Sequence, residues 1–399
     1  MITDIREESI LTDIEIKNSV APQYLVIKKI EAFVVSHQLK QSFYFSQWEY
    51  DRRLICLVKI TLDDGTFGWG EGYGPALVIK EGIEFFKPLL IGQNPLENEC
   101  LWQKMYLRSL DYGRRGIFLS AISALDVALW DIKGKLLNQS VSVLLGGRKR
   151  EKIKAYATGM YFSQGNNLDQ KLAREAYSYK KRGFEAMKMK VGLGIKEDIK
   201  NVQAVREAIG YDIELMIDSN HAYSLKEALF LCRKVEKFEI NWFEEPLSPE
   251  EYDNYFYLRQ KTSIPIAGGE CEYLRYGFLH LFQSKSVDIA QPDICSAGGL
   301  TEVKKICCMA QTFGVEVVPH TWGTGIAVSA ALHLISNWDI TPGRLHTSVP
   351  MIELDLTENP LRDALINPSF TVENGMIEVP DKPGLGVDVD ETELKKYLL

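Results

Sequence analysis

The sequence lacks the features of several large protein classes. Its seven cysteines are an odd number and form no CxxC pair, which predicts neither a disulfide framework nor a zinc knuckle. No apolar run has the length needed to cross a bilayer, and the first 19 residues are charged throughout, unlike a secretion signal. We therefore expect a cytoplasmic protein with reduced thiols and no contact with a membrane.

An excess of positive charge is also missing. The chain has 46 Lys and Arg residues against 54 Asp and Glu residues, for a net charge of −8. This sign argues against a polyanionic partner such as nucleic acid. A small acidic substrate is still compatible with this charge, because a bound metal ion can override the sign of the charge locally. A length of 399 residues predicts two domains, or a barrel with one further domain.

What the sequence does contain is a series of short apolar runs that end in acids. IELMID, INWFEE and IPIAGGE place Asp218, Glu244 and Glu270 26 residues apart in each case. This spacing fits one strand, one helix and two loops of a βαβ series. A single acid of this kind is as well explained by a loop cap or a solvated charge. Three at equal spacing favour a shared site for a hard cation, Mg²⁺ or alternatively Mn²⁺.

The chain divides into four predicted parts. Residues 1–23 form an N-terminal extension, and residues 24–150 form an α+β capping domain with a hairpin at Asp64-Gly65. From 151 to 360, eight apolar runs alternate with amphipathic helical segments, which predicts a modified β/α barrel. Residues 361–399 have no barrel period and are expected to return to the capping domain. The aromatic segment 38–53 is the predicted lid of the barrel mouth.

In a β/α barrel the active site lies at the rim where each strand hands over to its helix. Nearly every such position in this sequence is ionisable: Lys188, Lys190, Asp218, Glu244, Glu270, Asp293, His320 and Glu353.

Lys188 and Lys190 are one residue apart, so on a strand they share a face. Two neighbouring ammonium groups beside a cation should lower a lysine pKa toward the range of a general base, although a solvated surface pair is the alternative. Asp293 and His320 end successive runs, and the carboxylate is expected to orient the imidazole. A lone histidine would more often be a structural core residue.

A metal ion flanked by a lysine pair and a His–Asp pair predicts a reaction class. The ion binds a substrate carboxylate and stabilises the enediolate that forms when the α-proton leaves. One side group takes the proton. The opposite group then either returns a proton to the same carbon, giving racemisation, or protonates a departing β-oxygen, giving elimination.

The motifs MKMKVG, MIDSN, WFEEP, AGGE, QPDICSAGG and VPHTWGTG resemble the enolase superfamily and, within it, the mandelate racemase subgroup. The resemblance implies a (β/α)7β barrel with a capping domain, and a homo-oligomer. It implies Asp218, Glu244 and Glu270 as ligands of Mg²⁺, and Lys190 and His320 as acid–base groups. Lys188 and Asp293 would assist them, and Glu353 would bind the substrate carboxylate. Three further residues are predicted to contact the substrate: Asn220, His221 and Trp322.

Among acid-sugar members, the phrases AYATG, WFEEP, VPHTWGTG and IELDLTENPLRDAL are most similar to galactarolactone cycloisomerases. The resemblance therefore implies Mg²⁺-dependent α-proton abstraction from a sugar acid or its lactone, followed by β-elimination. A racemase or epimerase of a 2-hydroxy acid on the same site is the nearest alternative. A catalytically silent scaffold on the same fold is the second.

Overall fold

The computed structural model describes residues 25–338 and 350–399, so the predicted extension at 1–23 lies outside the described residues. The chain begins with an antiparallel sheet of three strands, β1 (Ile27–Phe45), β2 (Trp48–Leu62) and β3 (Phe67–Gly72). The predicted hairpin joins β2 to β3, and Gly65 supplies the positive φ of 91° that its turn requires. No helix among the described residues is both long and apolar enough to cross a membrane.

Three helices cover this sheet: α1 (Ala76–Leu90), α2 (Asn98–Ser109) and α3 (Ile117–Leu137), followed by the short α4 (Val141–Leu144). The alternating glycines of FGWGEG let α3 lie directly on β3. A Cβ atom at Gly70 would collide with the carbonyl oxygen of Ala124, and one at Gly68 with that of Ala128. The predicted α+β capping domain is confirmed, and its core lies between the sheet and these helices.

The second part is a barrel of eight parallel strands with the order β11-β4-β5-β6-β7-β8-β9-β10. The strands are β4 (Lys152–Thr158), β5 (Ala186–Lys190), β6 (Glu214–Asp218), β7 (Ile240–Glu244), β8 (Ile266–Gly268), β9 (Ile289–Ala290), β10 (Glu316–Val317) and β11 (Met351–Asp355). Between them lie α5 (Leu168–Lys181), α6 (Ile195–Ile209), α7 (Leu225–Val235), α8 (Tyr252–Arg259), α9 (Leu274–Gln283), α10 (Gly299–Phe313) and α11 (Gly325–Ser336). This alternation confirms the (β/α)7β fold.

The C-terminal segment serves both domains. It contains α12 (Pro360–Asp363), β12 (Ile366–Asn367), β13 (Val372–Glu373), β14 (Met376–Glu378), β15 (Asp388–Val389) and α13 (Glu391–Tyr397). Strand β14 pairs antiparallel with β4 and so extends the barrel sheet. From Gly384 onward the segment returns to the capping domain as expected. The Leu385 N–H donates to Asp131 Oδ1 at 2.8 Å, and the Leu399 N–H donates to the Val34 carbonyl at 3.0 Å.

The predicted lid, residues 38–53, is the outer half of the β1–β2 hairpin. Its backbone bonds to the loop after β4, because Tyr44 and Phe162 exchange N–H···O bonds of 2.9 and 2.8 Å. The hairpin therefore reaches over the barrel mouth as a strand extension held at its tip.

Candidate active site

The strand period of two explains how the barrel interior changes from apolar to polar. One buried layer takes a side chain from each strand or its end: Tyr156, Ala186, Met216, Trp242, Ala267, Ile289, Val318 and Met351. Two residues further along each strand, the next inward layer is Thr158, Lys188, Asp218, Glu244, Gly269, Gln291, His320 and Glu353. The apolar layer is thus the floor of a site whose walls carry charge.

Strand register brings the lysine and carboxylate groups side by side. Lys190 pairs with Asp218, and Asp218 pairs with Glu244, across β5, β6 and β7. The Lys190 Nζ donates to Asp218 Oδ2 at 2.5 Å and to Asn220 Oδ1 at 2.8 Å. The intervening Met189 lies in the core on the helix side of the strand, as the shared face of the lysines requires.

Lys188 is buried among three carboxylates. Its Nζ donates to Glu244 and lies 2.9 Å from Glu353 Oε1 and 3.6 Å from Asp218 Oδ2. Burial alone would lower the pKa of Lys188, but these carboxylates outweigh it and raise that pKa well above its ordinary value. The predicted lowering is therefore wrong for Lys188, because the carboxylates of Glu244, Glu353 and Asp218 all lie within 3.6 Å of its Nζ.

The carboxylates respond to the same contacts. Burial opposes the charge of Asp218, yet Lys190 and Lys188 lower its pKa to about 2. Burial also opposes the charge of Glu353, and Lys188 and His320 lower the pKa of that group to about 2. Glu244 differs, because burial and the neighbouring anions raise its pKa to about 7 against the effect of Lys188. The carboxylates of Asp218, Glu244 and Glu353 therefore carry more negative charge than the two lysines neutralise.

His320 and Asp293, predicted as an acid–base pair, form a buried contact. The imidazole Nδ1 lies 2.7 Å from Asp293 Oδ2, while Nε2 lies 3.4 Å from Glu270 Oε2. Burial disfavours the imidazolium, but Glu270 and Asp293 outweigh it and raise the pKa of His320 to about 10. Since Asp293 holds Nδ1, Nε2 is the atom that faces the other groups of the site.

Glu353 lies in the middle of β11, two residues before the strand ends, rather than at the predicted strand end. Barrel strands are staggered, so the rim cuts them at different positions. The Thr158 hydroxyl donates to Oε1 at 2.6 Å, and the Thr321 N–H donates to Oε2 at 3.2 Å. These contacts fix the carboxylate beside Lys188.

The donor set fits a hard divalent cation. Gln291 Nε2 and Trp242 Nε1 both donate to Glu244 Oε2, at 2.6 and 3.0 Å, which fixes that carboxylate and turns Oε1 toward Lys188. The Asn220 N–H fixes Asp218 in the same way through Oδ1 at 2.9 Å. Held carboxylate oxygens of this kind suit Mg²⁺ and Mn²⁺. Asp218 and Glu244 share the ammonium of Lys188, whereas Glu270 lies on the side of His320.

An aromatic roof, formed by Phe43, Phe45, Tyr50, Tyr161 and Trp322, covers the lysine side of the site. The rings of Phe45 and Tyr161 lie 5.0 and 5.3 Å from the Lys190 Nζ. Next to the roof, a cavity of about 380 Å³ is lined in part by Tyr50, Tyr73 and Trp322. Within the described chain, the buried Trp322 Nε1 has no hydrogen-bond partner, which leaves a donor for a ligand.

The three predicted substrate-contact residues have different surroundings. Only Trp322 has a free polar atom, since the Asn220 amide contacts Lys190 and Glu245. The His221 ring faces Glu245 and Cys271 instead of the lysines. Sequence reasoning missed Gln291, Thr158 and Tyr73, whose ring lies 5.1 Å from that of His320. Counting two residues on from the apolar floor would have found Gln291 and Thr158.

Comparison with known proteins decides the family. The family model described as Enolase C-terminal domain-like matches residues 171–393. The model described as Mandelate racemase / muconate lactonizing enzyme, N-terminal domain, matches residues 29–146. The chain belongs to the enolase superfamily. Within it, this protein is an enzyme of the mandelate racemase subgroup, and a racemase of known structure from Streptomyces coelicolor A3(2), 26% identical, contains bound magnesium.

Three relatives of this mandelate racemase subgroup enzyme carry names that describe their reactions. The crystal structure of a 3,6-anhydro-D-galactonate cycloisomerase from Zobellia galactanivorans is 60% identical, with a TM-score of 0.86, and covers 94% of this chain and 99% of that chain. A D-galactarolactone cycloisomerase from Agrobacterium fabrum is 41% identical over 93% of this chain and 98% of its own length. An arabinonate dehydratase from Saccharolobus solfataricus is 38% identical over 86% of this chain and 90% of its own length. The predicted lyase or isomerase class is confirmed.

Proposed function

We propose that this enzyme opens the ring of a cyclic sugar acid by β-elimination, with a 3,6-anhydrohexonate as the first choice and a sugar-acid lactone as the second. In the anhydrohexonate, and in a lactone that keeps a second, free carboxylate, the carbon β to that carboxylate carries a ring oxygen. The observation that carries the proposal is the presence of two separate proton-transfer groups, Lys190 on β5 and the His320–Asp293 pair beyond β10, in one buried site.

The reaction needs one group to take a proton and one to give a proton. His320 or Lys190 removes the hydrogen from the α-carbon, and the β-carbon–oxygen bond then breaks with its electron pair on the ring oxygen. The opposite group protonates that oxygen, and the resulting enol becomes a 2-keto-3-deoxy acid. No water is lost, so product and substrate are isomers. Asp293 fixes the imidazole, and Glu353 is assigned to the substrate carboxylate.

Asp218, Glu244 and Glu270 are the proposed ligands of Mg²⁺. When bound, the ion would polarise the substrate carboxylate and stabilise negative charge on it. Lys188 would supply further positive charge from the buried side, where it already contacts Glu244 and Glu353.

The aromatic roof supports a ring-containing substrate. An anhydro sugar has fewer hydroxyl groups and a larger C–H face than an open-chain aldonate of the same length. Flat rings such as Tyr50 and Trp322 bury that face, and the free Trp322 Nε1 can donate to a hydroxyl or ring oxygen. The 60% identity to the anhydrogalactonate cycloisomerase supports the same class.

A substrate panel in D₂O tests the proposal. Anhydrohexonates, aldarolactones, aldonates and 2-hydroxy acids are incubated with the Mg²⁺-loaded enzyme and followed by NMR and mass spectrometry. We expect a 2-keto-3-deoxy product that retains the mass of the substrate, apart from deuterium taken up from solvent. A product lighter by one water would identify a dehydratase instead. Deuterium exchange without a keto product would identify a racemase. A cytoplasmic location and a homo-oligomeric assembly stay predictions.

A further inference from the structure

A second cluster of metal-ligating side chains lies behind the three proposed magnesium ligands. It consists of His221, Glu245 and Cys271, which follow Asp218, Glu244 and Glu270 in the same three strand-to-helix loops. One ligand atom from each lies within 4.8 Å of the other two. The His221 Nε2 lies 3.1 Å from Glu245 Oε2 and 3.6 Å from Cys271 Sγ.

The histidine tautomer of this cluster is set by the protein. The His221 Nδ1 lies 2.9 Å from the Leu247 carbonyl oxygen, which can only accept, so Nδ1 carries a proton. The Nε2 atom is then the one turned to Glu245 and Cys271. This arrangement, in which one ring nitrogen donates to a backbone carbonyl and the other faces ligands, is the usual one for a metal-binding histidine.

The cluster differs in chemistry from the proposed magnesium site. It offers one sulfur, one nitrogen and one oxygen, whereas Asp218, Glu244 and Glu270 offer only oxygens. Sulfur and imidazole ligands select Zn²⁺ and similar borderline cations over Mg²⁺. Glu245 is buried, while Cys271 is exposed, so a cation can enter from solvent on the cysteine side.

We propose that His221, Glu245 and Cys271 form a binding site for Zn²⁺ or a cation of the same class, distinct from the magnesium ligands. On binding, the Cys271 thiol loses its proton to solvent and a sulfur–metal bond forms. The cation lies between His221 Nε2 and Glu245 Oε2, which are 3.1 Å apart, and any proton bound there leaves to solvent. Three protein ligands leave the fourth position of a tetrahedral ion to water. The site does not depend on which sugar acid the enzyme uses.

Cobalt substitution tests the proposal by a signal that the carboxylate site does not give. The Mg²⁺-saturated enzyme is titrated with Co²⁺ and then with Zn²⁺. We expect a near-ultraviolet sulfur-to-cobalt charge-transfer band that Zn²⁺ removes. Cys271→Ser should lose the band and bind Zn²⁺ about tenfold more weakly or worse. Cys308 is also an exposed cysteine and lies on α10. Cys308→Ser is therefore the matched control and should keep both the charge-transfer band and the affinity for Zn²⁺.

A second measurement needs no variant. Alkylation of the wild-type enzyme with iodoacetamide is mapped by mass spectrometry with and without Zn²⁺. We expect Zn²⁺ to slow modification of Cys271 at least tenfold relative to Cys308. Absence of the charge-transfer band in the wild type, its persistence in Cys271→Ser, or equal alkylation of Cys271 with and without Zn²⁺ would overturn the proposed site.

Discussion

The protonation of His320 depends on neighbouring carboxylates, among which Glu270 and Asp293 contact the ring. Asp293 accepts from Nδ1 at 2.7 Å and, together with Glu270, raises the pKa of the imidazole to about 10 against the effect of burial. Removing the charge of Asp293 while keeping its shape should lower that pKa. His320 would then lose its proton at a lower pH than in the wild type.

Asp293→Asn therefore has a two-part expected outcome. The value of kcat should fall roughly 10²–10⁴-fold, the usual contribution of a positioned acid–base group, while KM changes little. The limb of the pH profile that reports His320 should move to lower pH. Both are measured on the best substrate of the panel. A loss of kcat with an unmoved profile would mean that Asp293 acts only in folding.

His320 and Lys190 can be told apart by isotope exchange. Because Asp293 supports an imidazolium, we expect His320 to be the base that removes the α-proton and Lys190 to protonate the leaving oxygen. Lys190→Met should then lose turnover but still exchange the α-hydrogen with D₂O, whereas His320→Asn should lose both. The reverse pattern would exchange the two roles.

At the scale of elements, the lid hairpin is held to the barrel through Arg53. Its guanidinium donates to Asp355 at 2.6 Å and lies 4.5 Å from the Trp322 ring. Arg53 and Asp355 are each only 4% exposed. One residue of β2 thus contacts the strand that carries Glu353 and the loop that follows His320.

Arg53→Met should weaken both stability and substrate binding. Breaking a buried ion pair leaves Asp355 uncompensated, which costs about 3–5 kcal/mol of unfolding free energy. The roof over Lys190 should loosen and KM should rise. Arg52→Met is the matched control, because the neighbouring Arg52 lies at the surface beside Asp51. Denaturant unfolding and steady-state kinetics of both variants check this, and equal behaviour of the two would refute the role of Arg53.

Sequence periodicity was sufficient for the barrel and for most of the charged rim, because strand length and the period of two place side chains without knowledge of packing. It could not give the length of the hairpin over 38–53, since whether that segment pairs with itself depends on the barrel loop that Tyr44 contacts. The expectation that two neighbouring lysines lower each other's pKa was wrong in direction for Lys188. That direction depends on distances to Glu244 and Glu353, which lie 56 and 165 residues away in sequence.

At the scale of the whole molecule, His333 joins three segments that are far apart in sequence. It is a buried residue of α11 whose Nδ1 accepts the Ser142 N–H at 3.2 Å and whose Nε2 lies 3.0 Å from the Leu385 carbonyl. The last helix of the barrel is thereby tied to the end of the capping domain and to the C-terminal segment. The Ser142 contact requires a neutral ring, because Nδ1 must accept, while the Nε2–H donates to the Leu385 carbonyl.

Burial accordingly lowers the pKa of His333 from 6.5 to about 4. As pH falls below 6.5 the unfolded chain takes up the proton first, so stability is full above pH 6.5 and falls by about 3 kcal/mol by pH 4. His333→Gln should be less stable than the wild type at pH 7.5 but should lose this part of the acid sensitivity. Unfolding free energies at pH 7.5 and 5.0 measure it, with the exposed His280→Gln as control. If the wild type and His333→Gln lost equal stability between these pH values, the three-way contact would not be the source of acid sensitivity.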